Sequence, residues 1–111
     1  MSERLPAHLK ISGLIRMVEQ EGGHAMVLAR GERDAGTVLI VTMCRGEDTQ
    51  LFERMPQLDG SRPFTPIKSQ DSENPREFSE YLERRRKQDP DIWILELDVP
   101  NPEKLIEILP R

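Results

Sequence analysis

Four consecutive cations, Arg84, Arg85, Arg86 and Lys87, stand just ahead of the most strand-like apolar run of the chain, in YLERRRKQDPDIWILELDVP over residues 81–100. Guanidinium groups match phosphate geometry through paired N–H donors, so such a run could hold a phosphate or a nucleic-acid backbone. Arg30 and Arg33, in and beside the polar stretch GERDAG, would supply the other half of an anion site if the fold brought the two segments together. With Asp89 and Trp93 next to the basic run, the candidate binding residues are Arg30, Arg33, Arg84, Arg85, Arg86, Asp89 and Trp93.

A local role competes with this reading. Cations in the last turns of a helix face its unsatisfied carbonyls, each worth about 0.3 to 1 kcal/mol. Glu80 with Arg84, and Glu83 with Lys87, also have the spacing and orientation of i, i+4 pairs, worth about 0.2 to 0.5 kcal/mol each. These compensations suffice to explain the run as architecture. Arg85 stands apart, because it lies seven residues from Phe78 and continues the apolar stripe of Phe78, Tyr81 and Leu82. Either its methylene stem packs while the head reaches water, or its charge meets a carboxylate, for which Asp89, Asp91, Glu96 and Asp98 are near in sequence.

Other chemistries find little support. His8, His24 and Cys44 occur singly, without the convergent spacing of a metal site, so neither metal nor cofactor is expected. Cys44 follows a continuous apolar run, which suits packing better than nucleophilic catalysis. ARGERDAG has two glycines but lacks the lysine-hydroxyl ending of a phosphate loop and leads into a strand. Single-strand nucleic-acid binding uses aromatics interleaved with cations. The chain has one Trp, one Tyr and three Phe, and Phe78, Tyr81 and Trp93 belong to core patterns. No catalytic residue stands out.

The elements that must position these residues follow from apolar periodicity. Ile11, Leu14, Ile15 and Val18 predict a first helix, with Ser12 as its N-cap after a short extended segment and Gly22 and Gly23 ending it after about Glu21. Residues 25–30, AMVLAR, and 37–43, TVLIVTM, read as central strands covered on both faces, with GERDAG as a hairpin loop between them. TQLFERM, residues 49–55, extends this as a less buried strand of an antiparallel meander. Residues 59–75 read as a loop. Asn74, Pro75 and Glu77 start a second helix as a capping box, which the Asp89–Pro90 step ends. In WILELDV, Trp93, Leu95, Leu97 and Val99 alternate against Ile94, Glu96 and Asp98, the pattern of a strand with one buried face. Asn101 and Pro102 then open a last helix carrying Leu105, Ile106 and Leu109.

Size and composition bound the whole. A chain of 111 residues forms one domain, residues 1–111, and can bury a core without disulfides or metal. Sixteen Lys and Arg against twenty Asp and Glu give a net charge of −4, a field opposed to polyanions. A mean hydropathy of −0.61 and the lack of an apolar N-terminal run predict neither a membrane span nor a signal peptide, so the expected compartment is the cytoplasm.

LIRMVEQEGGHAMVLARGERDAGTVLI, LFERMP and YLERRRKQDPDIWILELDVP together resemble a family of small bacterial proteins catalogued as domain of unknown function 1491. Its most specific parts are an R-G-D-x-x-A-G-x-V-L pattern over Arg30 to Leu39, with Glu32 at the usual aspartate, and D-P-D-[LI]-W over Asp89 to Trp93. That resemblance implies one soluble bacterial domain and supplies no activity or site residue. The expected fold is α+β, a mixed and mostly antiparallel sheet of four to five strands with helices on its faces. The expected role is a non-catalytic binding or interaction module whose partner is another protein or a second copy. Phosphate or nucleic-acid ligation through the arginines is the alternative, and an enzyme with a site assembled by the fold is a third.

Overall fold

The computed structural model describes residues 5–110. Five strands, β1 (His24–Ala29), β2 (Val38–Cys44), β3 (Glu47–Arg54), β4 (Phe64–Ser69) and β5 (Trp93–Asp98), form one mixed sheet in the order β1-β5-β2-β3-β4. Three helices, α1 (Ala7–Gln20), α2 (Pro75–Gln88) and α3 (Pro102–Ile108), cover its two faces, an α+β architecture. On one face Ile11 and Val18 of α1 and Leu105 of α3 pack with Ile40, Leu95 and Leu97. On the other, Phe78 of α2 packs with Leu39, Val41, Leu51, Ile92 and Ile94. Alternation along β5 explains the split, since successive side chains point to opposite faces. Leu95 and Leu97 serve the first layer and Ile94 the second, all three at most 1% exposed.

β5 pairs parallel to β2, Leu39 opposite Ile94, and antiparallel to β1, Ala25 opposite Leu97. This insertion overturns two sequence expectations. β1 is an edge strand, not a central one, and its first four residues alternate between exposed and half-buried. GERDAG is not a hairpin loop, because β1 and β2 are not neighbours. It spans the start of β5 instead, where Glu32 N–H donates to Asp91 O at 3.0 Å and Trp93 N–H to Thr37 O at 2.8 Å. Both glycines are required there. A Cβ on Gly31 would lie 2.1 Å from Asp91 O, and one on Gly36, whose φ is +133°, 2.5 Å from the same oxygen.

That loop also corrects the start of α1. Ser12 is not its cap. Its hydroxyl donates to His8 O inside the helix, which begins five residues earlier at Ala7. A helix leaves its first N–H groups without partners. Here Ala7 N–H reaches Asp34 O at 3.1 Å and His8 N–H reaches Arg33 O at 3.0 Å. The carbonyls come from 25 or more residues away, so no local signal announced them.

The stretch 59–75, read as loop, contains β4, the other edge strand, with Pro66 opposite Phe52. Edge strands tolerate proline because one row of their N–H groups needs no partner in the sheet. β2 and β3 join through Arg45 and Gly46, both at positive φ, 53° and 76°, as a two-residue turn. Asp98 braces it from β5, each carboxylate oxygen accepting one turn amide, at 2.8 Å from Arg45 and 3.0 Å from Gly46. At the helix starts, Asn101 caps α3 through Lys104 N–H. Asn74 makes no side-chain cap bond, and Glu77 reaches Lys68 of β4 instead, so the expected capping box is absent.

Candidate functional site

The basic run lies in the last turns of α2, which ends at Gln88 before an extended Asp89. At about 100° of rotation per residue its four cations point in different directions. Arg84 is exposed, its guanidinium 5.8 Å from the centre of the Tyr81 ring. Arg85 turns to the sheet and pairs in a bidentate manner with Glu53 of β3, at 2.9 and 2.8 Å, while also donating to Tyr81 Oη at 3.1 Å. Pairing was one of the two sequence readings, but its acceptor is none of the four nearby acids. Period-2 alternation held the signal: Glu53 shares its face with Leu51, the face that α2 covers. The hydrogen bonds to Glu53 raise the Arg85 pKa above the ordinary arginine range, outweighing partial burial.

Arg86 pairs with Glu83 at 2.9 Å, so Glu83 serves Arg86 and not Lys87. Arg86 and Lys87 then meet Arg30, at the end of β1, around a shallow cleft of about 270 Å³. Glu83 and Asp89 also line it, over a floor that includes buried Ala29 and Ile92. Two of the sequence-selected arginines, Arg30 and Arg86, therefore converge with Asp89. Arg33, Arg84 and Arg85 lie outside. Trp93 is core, 3% exposed, with its indole N–H donating to Glu32 O at 2.7 Å, and Arg30 sits 5.7 Å from its ring centre. The cleft thus holds three cations and two carboxylates beside the carbonyl end of a helix, a mixed field and not a uniformly positive one.

In the GERDAG loop, Glu32 Oε2 accepts the amides of Asp34, at 2.8 Å, and Ala35, at 2.6 Å. Successive amides of this kind could cradle an external anion. Here the chain's own carboxylate occupies them. His8 Nδ1 lies 3.0 Å from Arg33 O, and neither His8 nor His24 lines the cleft. Among the described residues no three His, Cys, Asp or Glu side chains gather closely enough to hold a metal ion.

Sequence reasoning missed the edge of β1. HAMVLA carries no Lys, Arg, Asp, Glu or Pro, and Met26 at its middle is 59% exposed. Natural edges usually carry charge or proline that discourages pairing with another chain. The opposite edge, β4, has Pro66 and Lys68. β1 has only a bulge at Leu28, which leaves His24–Val27 in regular register with β5. Ala25 and Val27 pack on the α1 side, so Met26 projects on the α2 side, next to Glu96. Once β1 is known to be an edge, its composition identifies it. The sequence hid the edge because β5, 64 residues beyond Ala29, is what displaces β1 from the centre.

The model of the family described as "Protein of unknown function (DUF1491)" matches residues 5–107, and the chain belongs to that family. A crystal structure of a family member from Caulobacter crescentus CB15 is similar, with TM-score 0.79, 29% identity, and 96% of this chain and 98% of that chain covered. A solution structure of an Agrobacterium tumefaciens protein aligns with TM-score 0.74 and 26% identity over 98% of each chain. An NMR structure of a family member from C. crescentus CB15 gives 0.73 and 30% over 90% of each. No curated protein matches. The two segments that carried the family pattern, Arg30–Leu39 and Asp89–Trp93, are bonded to each other across the start of β5. Their distinctive residues Gly31, Gly36 and Trp93 are accounted for by that junction, to which Asp91 contributes its backbone carbonyl.

Proposed function

We propose that this member of the DUF1491 family is a non-catalytic protein-interaction module of the cytoplasm that takes an added strand on the open edge of β1. The observation that carries the reading is the uncharged, proline-free strand HAMVLA at the end of the sheet, with Met26 exposed. Strand addition gains affinity from main-chain hydrogen bonds and selectivity from alternate side chains, and needs no deep pocket. Cytoplasmic placement rests on the lone, unpaired Cys44 and on composition; no helix among the described residues is long and apolar enough to cross a membrane.

The test is capture from cells that express the protein, comparing wild type with Met26→Lys. A lysine on an edge strand opposes further pairing, and at an exposed position it leaves the fold intact by circular dichroism. Proteins retained by wild type and lost by the folded variant support the reading; an unchanged set of retained proteins contradicts it. Phosphate or nucleic-acid binding is the second reading, favoured by the meeting of Arg30 with Arg86 and Lys87. It is weaker because Glu83 and Asp89 share that cleft and the net charge is −4. Binding to phosphate groups weakens steeply with salt, so retention of RNA on a filter at low salt, lost as salt rises, would favour it.

A further inference from the structure

We infer that the strand added to β1 is β1 of a second copy, paired antiparallel about a two-fold axis through Met26, so that two chains form one continuous ten-stranded sheet. This rests on the strand-addition reading and names its occupant. Three observations select a second copy. An antiparallel pair related by a two-fold normal to the sheet sets residues of the same face opposite one another, and Met26 on the axis meets its own counterpart. Each copy's exposed thioether then covers the other's, while Ala25 and Val27 lie opposite each other on the α1 side. No charge in HAMVLA opposes this, because no Lys, Arg, Asp or Glu falls within the strand, and the bulge at Leu28 lies outside the regular stretch His24–Val27.

Charge at the strand ends is the second observation. Upstream of β1 stand Glu19 and Glu21, both exposed, and downstream stands Arg30, 5.7 Å from the ring centre of Trp93, whose ring belongs to the core layer under α1. Antiparallel pairing centred on Met26 carries the Arg30 end of one strand to the Gly22–Gly23 end of the other, next in the chain to Glu21. The acidic end of each copy thus meets the basic end of its mate at both ends of the junction. Parallel pairing would set like ends together. The third observation is the other edge. Pro66 and Lys68 obstruct pairing through β4, so the assembly closes as a dimer and does not grow into a ribbon. A junction of four or five residues is small for a specific interface, so the dimer is weak.

The full chain is tested by sedimentation equilibrium from about 10 μM to 1 mM, the range in which so small a junction would associate. Wild type is expected to convert reversibly from monomer to dimer. Arg30→Glu or Glu21→Arg alone should weaken association by about tenfold, and the two changes in one chain should restore it, because complementary ends meet again. A wild type that stays monomeric throughout overturns the inference, as does a dimer indifferent to these charges. If the monomer result comes with a captured partner that Met26→Lys loses, strand addition stands with another occupant. If wild type dimerises and Met26→Lys dimerises equally, the dimer forms elsewhere and this inference falls, while strand addition is decided by the capture experiment.

Discussion

At the scale of single residues, Arg85 shows how a charge on an apolar stripe is accommodated. Its partner Glu53 lies 32 positions away and both side chains are about one-fifth exposed, 21% and 22%. At that depth the pair is neither a screened surface contact nor a fully desolvated one. A bidentate bond with a tyrosine hydroxyl as third acceptor places its coupling at about 1 kcal/mol. A double-mutant cycle with Arg85→Met and Glu53→Gln, followed by urea unfolding, should return about that value, reduced at high salt. Zero coupling would mean that packing of the Arg85 stem does the stabilising. The pKa of Arg85 is raised on folding, so its contribution is complete at every pH below the ordinary arginine range and is lost only as pH rises through the elevated value. No loss from arginine deprotonation is expected at pH 6 to 9.

Arg54 makes the contrasting case. Its guanidinium lies 4.3 Å from the centre of the Phe64 ring and donates to Arg62 O and Pro110 O, both carbonyls. Burial lowers its pKa, and the nearby charge of Arg62 lowers it further. The aromatic face and two carbonyls offset part of that cost. Two half-buried arginines in one small domain are thus stabilised by different devices, and sequence alone distinguishes neither.

At the scale of elements, the junction between the GERDAG loop and the start of β5 sets how the sheet is assembled. Gly31→Ala places a methyl group against backbone, which cannot swing aside as a side chain can. The expected cost is about 2 to 3 kcal/mol, or a fall in melting temperature of about 10 °C or more. Gly13→Ala is the control. Gly13 lies inside α1 with no atom within 4 Å of an added Cβ, so alanine should stabilise by about 0.5 to 1 kcal/mol. Asp98→Ala should cost about 1 to 3 kcal/mol by stripping both amides of the Arg45–Gly46 turn of their acceptor. If urea midpoints fail to rank these three variants in that order of sign, the account of the loop and the turn is wrong.

These elements also mark how much could be read from sequence. Pro75, Pro102 and the Asp89–Pro90 step gave the starts of α2 and α3 and the end of α2, because proline acts on its immediate neighbours. The apolar runs of β2 and β5 were legible for the same local reason. What was not legible depended on distant chain. The Asp34 and Arg33 carbonyls start α1 where no capping side chain stands, and β5 enters between β1 and β2 and turns an apparent hairpin into an arch. β4 escaped notice because Pro66 and its polar neighbours read as loop, which an edge strand can tolerate. At the candidate site, Arg30 and the end of α2 were legible as cations, but their meeting around one cleft, and the exposure of Met26, follow from strand order.

At the scale of the molecule, the sheet has two unlike ends. β4 is obstructed by proline and lysine, whereas β1 presents an uncharged edge with acids before it and cations after it. Both apolar faces are occupied by helices, and the β1 edge is unpaired within the sheet. Both the interaction role and the dimer require the β1 edge to be a surface that pairs. Amide hydrogen exchange, resolved by residue across a dilution series, measures this directly. The outward-facing amides of residues 24–27, every second one, should gain protection as concentration rises, Met26→Lys should abolish the gain, and β2 and β5 should stay protected at every concentration. Protection along residues 24–27 that ignores both concentration and the lysine would contradict the account.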